Sequence, residues 1–306
     1  MILLSPRFSL LWLLYGLAQG EVVPSFLQTC GQFFANPGGG RTSPTVIAGP
    51  SYEQICQVRQ NVYEFASLYD TANKIPVYSA YEFVGHATCG RKSTWFIEPQ
   101  LDNPTLPKDM STEGSVPPQV RGNNQALNTD YDGSGYDRGH LCPVYHRDTQ
   151  SCADSTFTLT NAAPQDPSFN RGQWKKLEKR VATFLIQNCL PNTAFIVTGV
   201  VPSRGATAKF INNRVNVPSH FWSAYCCLDN NLRPLWSQGY LGVNSNKIPA
   251  KGFHLWALVN HNHLELVSAT MANSPVAFFS CLGSKPIFCK KWHTDVAGKP
   301  QRPTSM

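Results

Sequence analysis

The segment "SGYDRGHLCPV", residues 134–144, gathers an acid, an arginine, a glycine and a histidine at four consecutive positions, Asp137 to His140. Taken alone, it indicates a polar turn with a histidine, and a histidine in such a place is usually structural. The residues that follow decide otherwise. Asn161, Asn170 and Glu178 lie 21, 30 and 38 positions beyond His140. Together they predict the fold of this region as well as its chemistry.

The clearest helix is the segment "NRGQWKKLEKRVATFLIQN", residues 170–188. Its apolar residues recur at intervals of three and four and form one stripe: Trp174, Leu177, Val181, Phe184 and Leu185. Asn170 stands directly before the stripe, where Asn is a favoured N-cap, so its local interpretation is structural. Glu178 lies roughly 12 Å further along the axis and about 80° round the helix. By itself it would be a surface acid.

The chain carries a formal charge of +7 at pH 7. This modest excess favours an anionic partner such as nucleic acid, but does not by itself identify one. Four basic residues lie off the apolar stripe of the helix: Lys175, Lys176, Lys179 and Arg180. We expect an ordinary solvated face there, and a role in facing nucleic acid is the secondary interpretation.

Most other regular segments have the alternating, β-branched and aromatic pattern of strands. "VYEFASLYD" (62–70) and "IPVYSAYEFVG" (75–85) predict a hairpin. Further strands are predicted at 157–161, 194–201, 221–228, 235–243, 253–259 and 263–269. Residues 101–135 are polar and rich in turn formers, and predict a long surface excursion. Many strands, few helices and no strand–helix alternation predict an α+β fold with a mostly antiparallel central sheet flanked by helices.

The first twenty residues have the features of a secretory signal peptide. Arg7 gives a positive start, a short apolar run follows, and Ala18 and Gly20 are small residues before a cleavage site. We expect a secreted protein that begins near Glu21, with one domain over 21–293 and a disordered tail over 294–306. An uncleaved anchor is the less favoured alternative. No later segment has 18 consecutive apolar residues, so no membrane span is predicted.

Ten cysteines, all beyond the leader, predict disulfide bracing in a secreted chain and leave the connectivity open. None of them forms a CxxC zinc spacing. Cys226 and Cys227 are adjacent, so we expect them to pair with distant partners rather than with each other.

Hydrolysis of a phosphodiester needs a base for the attacking water, positive charge for the phosphate and stabilisation of the leaving oxygen. A histidine can supply the base, contributing on the order of 10²–10⁴ in rate. A divalent cation can supply the charge. Magnesium takes oxygen ligands and keeps several waters, so one or two protein oxygens are enough to hold it.

The motifs "DRGH" (137–140), "TNAAPQ" (160–165) and "FNRGQWKKLE" (169–178) together resemble the signature of the DNA/RNA non-specific endonucleases, relatives of endonuclease G. Within that family the chain looks most similar to the animal endonuclease domain-containing 1 proteins. The resemblance runs from about residue 63 to about residue 267. It implies a ββα-metal finger, DNA and RNA as substrates, and Mg²⁺ as cofactor, with Mn²⁺ or another divalent cation as an alternative.

The resemblance also implies a role for each residue of the motifs. His140 is the general base, Asn170 the direct metal ligand, Glu178 an acid that holds metal-bound water, Arg138 the arginine near the scissile phosphate, and Asn161 a second-strand residue that supports the catalytic set. Asp137 is expected to order the turn. Gly139 is expected to let backbone and phosphate approach closely. Arg91 is the candidate for a further arginine that clamps phosphate.

The chain departs from the family at Cys142, where a small residue is usual. Cys152 follows ten residues later, and we hypothesise a Cys142–Cys152 disulfide that braces the finger. Other conspicuous features carry no function: the tripeptide "HNH" at 261–263, the glycine-rich "GGGR" at 38–41, and His146 and His220, for which structural roles are expected.

The sequence therefore predicts a secreted, Mg²⁺-dependent, sequence-independent endonuclease. The alternative is a secreted nucleic-acid-binding or immune-modulatory protein on the same fold, with weak or no activity, because a fold does not guarantee its chemistry. A disulfide-rich structural protein would explain the cysteines but not the spacing of Asn170 and Glu178. The oligomeric state is left open.

Overall fold

The computed structural model describes residues 22–245, except 42, 190 and 192, together with residues 255–257. The strands are β1 (Val22–Val23), β2 (Tyr52–Arg59), β3 (Val62–Asp70), β4 (Ile75–Glu82), β5 (Asp137–His140), β6 (Ala162–Gln165), β7 (Ala194–Val201), β8 (Phe210–Ile211), β9 (Val215–Asn216), β10 (His220–Leu228), β11 (Pro234–Val243) and β12 (Leu255–Ala257). The predicted leader, the tail, the strand at 263–269 and the "HNH" tripeptide lie outside the described residues.

The helices are α1 (Phe26–Thr29), α2 (Pro99–Asp102), α3 (Asn128–Tyr131), α4 (Gln150–Ser155), α5 (Pro167–Phe169) and α6 (Lys175–Asn188). A π-helical turn, Asn170–Trp174, joins α5 to α6, so the helix continues from Pro167 to Asn188. Short 3-10 turns lie at Gly31–Phe33, Pro37–Gly39, Glu113–Ser115, Val144–His146, Leu159–Asn161 and Gly205–Thr207. Within the described part of the chain, no helix is long and apolar enough to cross a membrane.

Eight strands form one sheet in the order β1-β2-β3-β4-β7-β10-β11-β12, and every neighbouring pair is antiparallel. The predicted hairpin is present as β3 and β4. Strands β5 and β6 form a separate two-stranded ribbon, as do β8 and β9. This architecture confirms the predicted α+β class with a mostly antiparallel central sheet.

Successive residues of the strands point to opposite sides of the central sheet, and other segments of the chain cover both faces. On one face Phe65, Tyr81 and Phe221 pack with the finger and with helix α6. The rings of Trp174 and Phe221 lie 5.7 Å apart between centroids and couple the start of the long helix to the sheet. On the other face, the segment from residue 22 to residue 35 covers the sheet with apolar side chains such as Phe26.

Two expectations about local structure are wrong, and one strand was missed. The predicted strand at 157–161 is largely a 3-10 turn, and the strand follows it as β6; the buried side chains of Thr158, Thr160 and Asn161 bond locally and stabilise the turn. The segment 101–135 is not only a surface excursion, since it buries residues such as Val116 and Ala126. The strand β2 was not predicted, because its sequence "YEQICQVR" mixes polar and apolar residues.

The disulfides pair distant residues, Cys30 with Cys56 and Cys189 with Cys227. Cys226 is also disulfide-bonded, so the two adjacent cysteines have different partners, as predicted.

The hypothesised Cys142–Cys152 bridge is wrong: both residues are free thiols. Each interacts with the buried guanidinium of Arg147, which also pairs with Glu64 at 3.3 Å. Burial raises the pKa of the Cys142 thiol to about 12. This segment is therefore held by a buried cation, and a covalent brace is not needed to explain its position.

Peptide mapping tests this pairing. Protein unfolded with an alkylating agent and without a reductant should yield linked peptides for Cys30–Cys56 and Cys189–Cys227, with Cys142 and Cys152 both alkylated. In the folded protein, Cys142 should resist alkylation because it is fully buried. A linked Cys142–Cys152 peptide would contradict the structure.

Candidate active site

The ribbon of β5 and β6 and the helix that follows it form a ββα motif. The strands pair antiparallel, with Asp137 opposite Gln165 and His140 opposite Ala162. The chain then passes from β6 into α5, the π-helical turn and α6. This motif brings Arg138, His140, Asn170 and Glu178 to the wall of one cavity of about 620 Å³. These are four of the five residues that the sequence assigned to the site.

Asn161, the fifth residue, does not line the cavity. Its side chain is fully buried and makes four hydrogen bonds: its oxygen accepts from the Cys142 backbone N–H and the Ser79 hydroxyl, and its nitrogen donates to the Cys142 and Thr156 carbonyls, all at 2.9 or 3.0 Å. This uses its hydrogen-bonding capacity in full. Asn161 therefore supports the finger from within, and we correct its place in the catalytic set to that of a structural residue.

Asp137 orients Asn170 rather than ordering its own turn. Its carboxylate accepts a hydrogen bond from Asn170 Nδ2 at 2.9 Å and two from the guanidinium of Arg171, at 2.6 and 2.9 Å. A carboxylate only accepts, so the amide must present its nitrogen to Asp137. The amide oxygen is thereby left free for a ligand. Sequence reasoning missed this role.

Asn170 is not the N-cap of the helix. That position belongs to Asp166, whose carboxylate accepts from the backbone N–H groups of Ser168 and Phe169 and which precedes Pro167, a favoured first residue. Asn170 lies a turn later, where the helix is π-helical, a rare local form that is frequent at functional sites. Helix capping therefore does not explain Asn170, and its orientation by Asp137 indicates a different role.

His140 lies at the base of the cavity among aromatic rings. Its ring centroid is 4.7 Å from that of Trp95 and 5.0 Å from that of Phe157, and only 8% of the residue is exposed. Burial, together with the positive charge of Arg91, lowers the pKa of His140 to about 3. The imidazole is therefore neutral at physiological pH. Its Nε2 atom is buried and has no hydrogen-bond partner among the described residues.

Glu178 occupies the helix wall of the cavity and is partly exposed. Removal from bulk water raises the pKa of its carboxyl to about 8, against the opposing charges of Arg91 and Lys175. The turn that carries it is fixed by His146, whose Nε2 donates to the Glu178 carbonyl at 2.9 Å while its Nδ1 accepts from the Tyr81 hydroxyl at 2.9 Å. His146 is therefore structural, as expected, and it positions Glu178.

Two arginines line the cavity beside His140. Arg138 lies over the rings of Tyr131 and Trp95, at 5.2 and 5.9 Å from their centroids, and donates to the Asn128 carbonyl at 3.0 Å. Its Nε is buried and has no partner within the described residues. Arg91 lies over the ring of Phe157 at 5.4 Å and is exposed to the cavity. Both can offer N–H groups to an anion.

Gly139 is required by the strand partner rather than by a phosphate. A Cβ atom at this position would overlap the side chain of Gln165, which is fully buried against the ribbon. The expectation that this glycine serves close approach to a ligand is corrected accordingly. Glycine between Arg138 and His140 lets the two strands pack closely enough to place both side chains in the cavity.

The donor set fits a hydrated, hard divalent cation. The described residues contain no group of three or more His, Cys, Asp or Glu that could enclose a metal. What the cavity offers is the amide oxygen of Asn170, which the Asp137 hydrogen bond leaves free, and the nearby carboxylate of Glu178. Magnesium is commonly held by one or two oxygens and keeps its remaining waters. Asn170 and Glu178 are therefore the residues that would hold it.

The fold and cavity together define an α+β protein whose ββα motif presents a neutral imidazole, oxygen ligands and a basic rim. The chain belongs to the DNA/RNA non-specific endonuclease family, which it matches over residues 43–271. It is 35% identical over 228 residues to the Homo sapiens Endonuclease domain-containing 1 protein, covering 73% of this chain and 43% of that protein. It is 32% identical over 203 residues to the Mus musculus protein of the same name, covering 65% of this chain and 38% of that protein.

A shorter match is with Homo sapiens mitochondrial Endonuclease G, 39% identical over 115 residues, which covers 34% of this chain and 37% of that protein. These similarities confirm the resemblance drawn from the motifs. The chain spans less than half the length of these relatives.

The protonation state of His140 can be followed directly. A group whose pKa lies near 3 binds no proton between pH 8 and pH 5, so the ring resonances of His140 should stay constant over that range. Nuclear magnetic resonance titration of the cation-free protein measures this, with the signal assigned by its loss in His140→Asn. A titration midpoint near 6 would contradict the burial of the ring.

The role of Asp137 can be tested by Asp137→Asn. An amide at 137 no longer forces Asn170 to present its nitrogen, and it loses the ion pair with Arg171. Affinity for Mg²⁺ or nucleolytic activity should fall by about 10- to 100-fold, as when supporting residues of other metal sites are changed. Calorimetry with Mg²⁺ and cleavage assays measure this. Asp148→Asn, an equal charge change at an exposed acid, should have no effect. Wild-type Mg²⁺ affinity in Asp137→Asn would refute the orienting role.

Proposed function

We propose that this protein is a secreted, Mg²⁺-dependent endonuclease that hydrolyses phosphodiester bonds of DNA and RNA without sequence preference. The observation that carries the proposal is the convergence of four residues on one cavity: Arg138 and His140 from strand β5, and Asn170 and Glu178 from the helix that follows the ribbon. Family membership supports the class of chemistry. The leader-like first twenty residues support secretion.

In this proposal, His140 accepts the proton of the attacking water. Burial keeps the imidazole neutral, so one ring nitrogen carries a free lone pair. Trp95 and Phe157 hold the ring in place, so the base does not have to be ordered when substrate binds. Arg138, fixed between Tyr131 and Trp95, offers its N–H groups to the phosphate.

The divalent cation, when bound, supplies positive charge for the phosphate and the leaving oxygen. Asn170 would hold it through the oxygen that Asp137 leaves free, and Glu178 would be the second residue able to hold it. The Glu178 carboxyl, with its pKa raised to about 8, would lose its proton as the cation binds, so binding should strengthen as pH rises toward 8.

The cavity supports a substrate class rather than a base sequence. Its lining carries the five cations Arg91, Arg138, Arg171, Lys175 and Lys179 against the two acids Asp137 and Glu178. Positive charge attracts the phosphates that DNA and RNA share, and carries no information about base sequence. This supports cleavage of both nucleic acids.

The alternative function is nucleic-acid binding with weak or no catalysis, and one observation favours it. A general base works best when its pKa lies near the working pH, whereas His140 in the ligand-free protein has a pKa of about 3. An anionic substrate beside the ring would raise this value, because negative charge favours the imidazolium.

Cleavage assays separate the two functions. Protein collected from the medium of secreting cells, with an expected N-terminus near Glu21, is incubated with plasmid DNA and with RNA, in Mg²⁺ and in EDTA. Wild type should cleave both in Mg²⁺ only, and His140→Ala should lose on the order of 10²–10⁴ in rate. Asn170→Ala should require much more Mg²⁺.

Matched controls are His220→Ala and Asn231→Ala, which lie outside the cavity lining and should retain wild-type rates. Well-folded wild type that binds but does not cleave nucleic acid in Mg²⁺ would favour the alternative. Equal cleavage by wild type, His140→Ala and Asn170→Ala would overturn the assignment of the site.

A further inference from the structure

Two lysines of α6 border the cavity next to the reacting groups. Lys175, Glu178 and Lys179 stand at positions i, i+3 and i+4, so they share one face of the helix, and all three line the cavity. The two lysines are exposed and lie about 6 Å apart along the helix axis. Lys176 and Arg180 are equally exposed on the same helix but do not line the cavity.

The ammonium group of Lys179 lies over one aromatic ring, which a second ring supports. It lies 5.7 Å from the centroid of the Tyr145 ring, which also borders the cavity. The other support is His86, whose ring stacks on Tyr145 with centroids 4.9 Å apart and an interplanar angle of 12°. A cation–π contact and a stacked pair restrict a side chain that would otherwise move freely in water.

This arrangement differs from an ordinary solvated face. Lys175 interacts electrostatically with Glu178, which lies on the same helix face, and Lys179 adds a second cation there. Arg138 and Arg91 line the cavity beside His140 and can serve the reacting phosphate. The two lysines line the same cavity, so they are available to a further phosphate of a strand bound there.

We propose that Lys175 and Lys179 form a subsite for the phosphate adjacent to the scissile one, and that Tyr145 and His86 position Lys179 for it. The subsite presupposes the nucleolytic function proposed above. Its ligand is a phosphodiester of the same strand, in DNA or in RNA, so the preferred substrate carries at least two consecutive phosphates. For Lys175 and Lys179, a role in facing nucleic acid, which was the secondary interpretation of the sequence, becomes the principal one.

Binding can be measured without cleavage, in EDTA, by fluorescence anisotropy of a labelled oligonucleotide at several salt concentrations. Lys179→Ala and Lys175→Ala should each weaken binding about three- to tenfold near 0.1 M salt and lower the slope of log affinity against log salt by about 1. Lys176→Ala is the matched control and should leave both unchanged. Equal effects of Lys176→Ala and Lys179→Ala would reduce the subsite to general surface charge and overturn the proposal.

Short substrates locate the contact. With a trinucleotide that has two phosphates, Lys179→Ala should raise KM about three- to tenfold at an unchanged kcat. With a dinucleoside monophosphate, whose only phosphate is the scissile one, Lys179→Ala should match wild type. An equal loss on both substrates would place Lys179 at the scissile phosphate and refute the subsite.

The positioning role of Tyr145 has its own readout. Tyr145→Phe keeps the ring and should retain the wild-type KM for the trinucleotide, whereas Tyr145→Leu should raise it and leave the dinucleoside monophosphate unaffected. Equal KM values in both variants would remove Tyr145 from the subsite. If wild type cleaves neither the short substrates nor plasmid DNA and RNA in Mg²⁺, the proposed function fails, and the anisotropy series in EDTA still decides whether the lysines bind phosphate.

Discussion

The finger depends on the four hydrogen bonds of the buried Asn161 side chain. They join the end of β5, through both backbone groups of Cys142, to the turn before β6 and to Ser79 in the central sheet. A ribbon of two four-residue strands has little stability of its own. Bonded to the sheet through one amide, it becomes a rigid extension of the core, and the ring of His140 is fixed with it.

A second tie closes the motif at its other end. The carboxylate of Asp137, at the start of β5, binds both Asn170 and Arg171 at the start of the long helix. Strand and helix are thereby held at a fixed separation, and the amide of Asn170 is turned in one direction. Asn161 and Asp137 have complementary tasks: one holds His140 to the core, and the other orients the amide of Asn170. Neither needs to touch substrate.

Much of this site was predictable from the sequence, because several residue types and spacings agree only in one family. His140, Asn170, Glu178 and Arg138 were assigned together, and the long helix and its apolar stripe followed from periodicity. The start of that helix was misplaced, although Asp166 before Pro167 is a helix-start signal in its own right. Asn170 is also a favoured N-cap residue type, so the sequence offers two starts for this helix.

Other features could not be predicted, for a physical reason in each case. The four bonds of Asn161 reach residues up to 82 positions away, so local pattern carries no trace of them. Arg147, which interacts with both Cys142 and Cys152, pairs with Glu64, 83 positions away in the chain. Burial also determines the pKa of His140, and burial is a property of the folded chain.

The cavity resolves a conflict between binding an anion and keeping a base neutral. The charge of Arg91, which suits a phosphate, also opposes protonation of His140 and works in the same direction as the surrounding rings. In the free protein the imidazole is therefore kept in the form that can accept a proton. In the proposed function, the phosphates of an anionic strand would offset the same positive charges and raise the proton affinity of His140. On this reasoning a deeply buried histidine with a low pKa is compatible with catalysis, because the substrate itself supplies the charge that tunes the base.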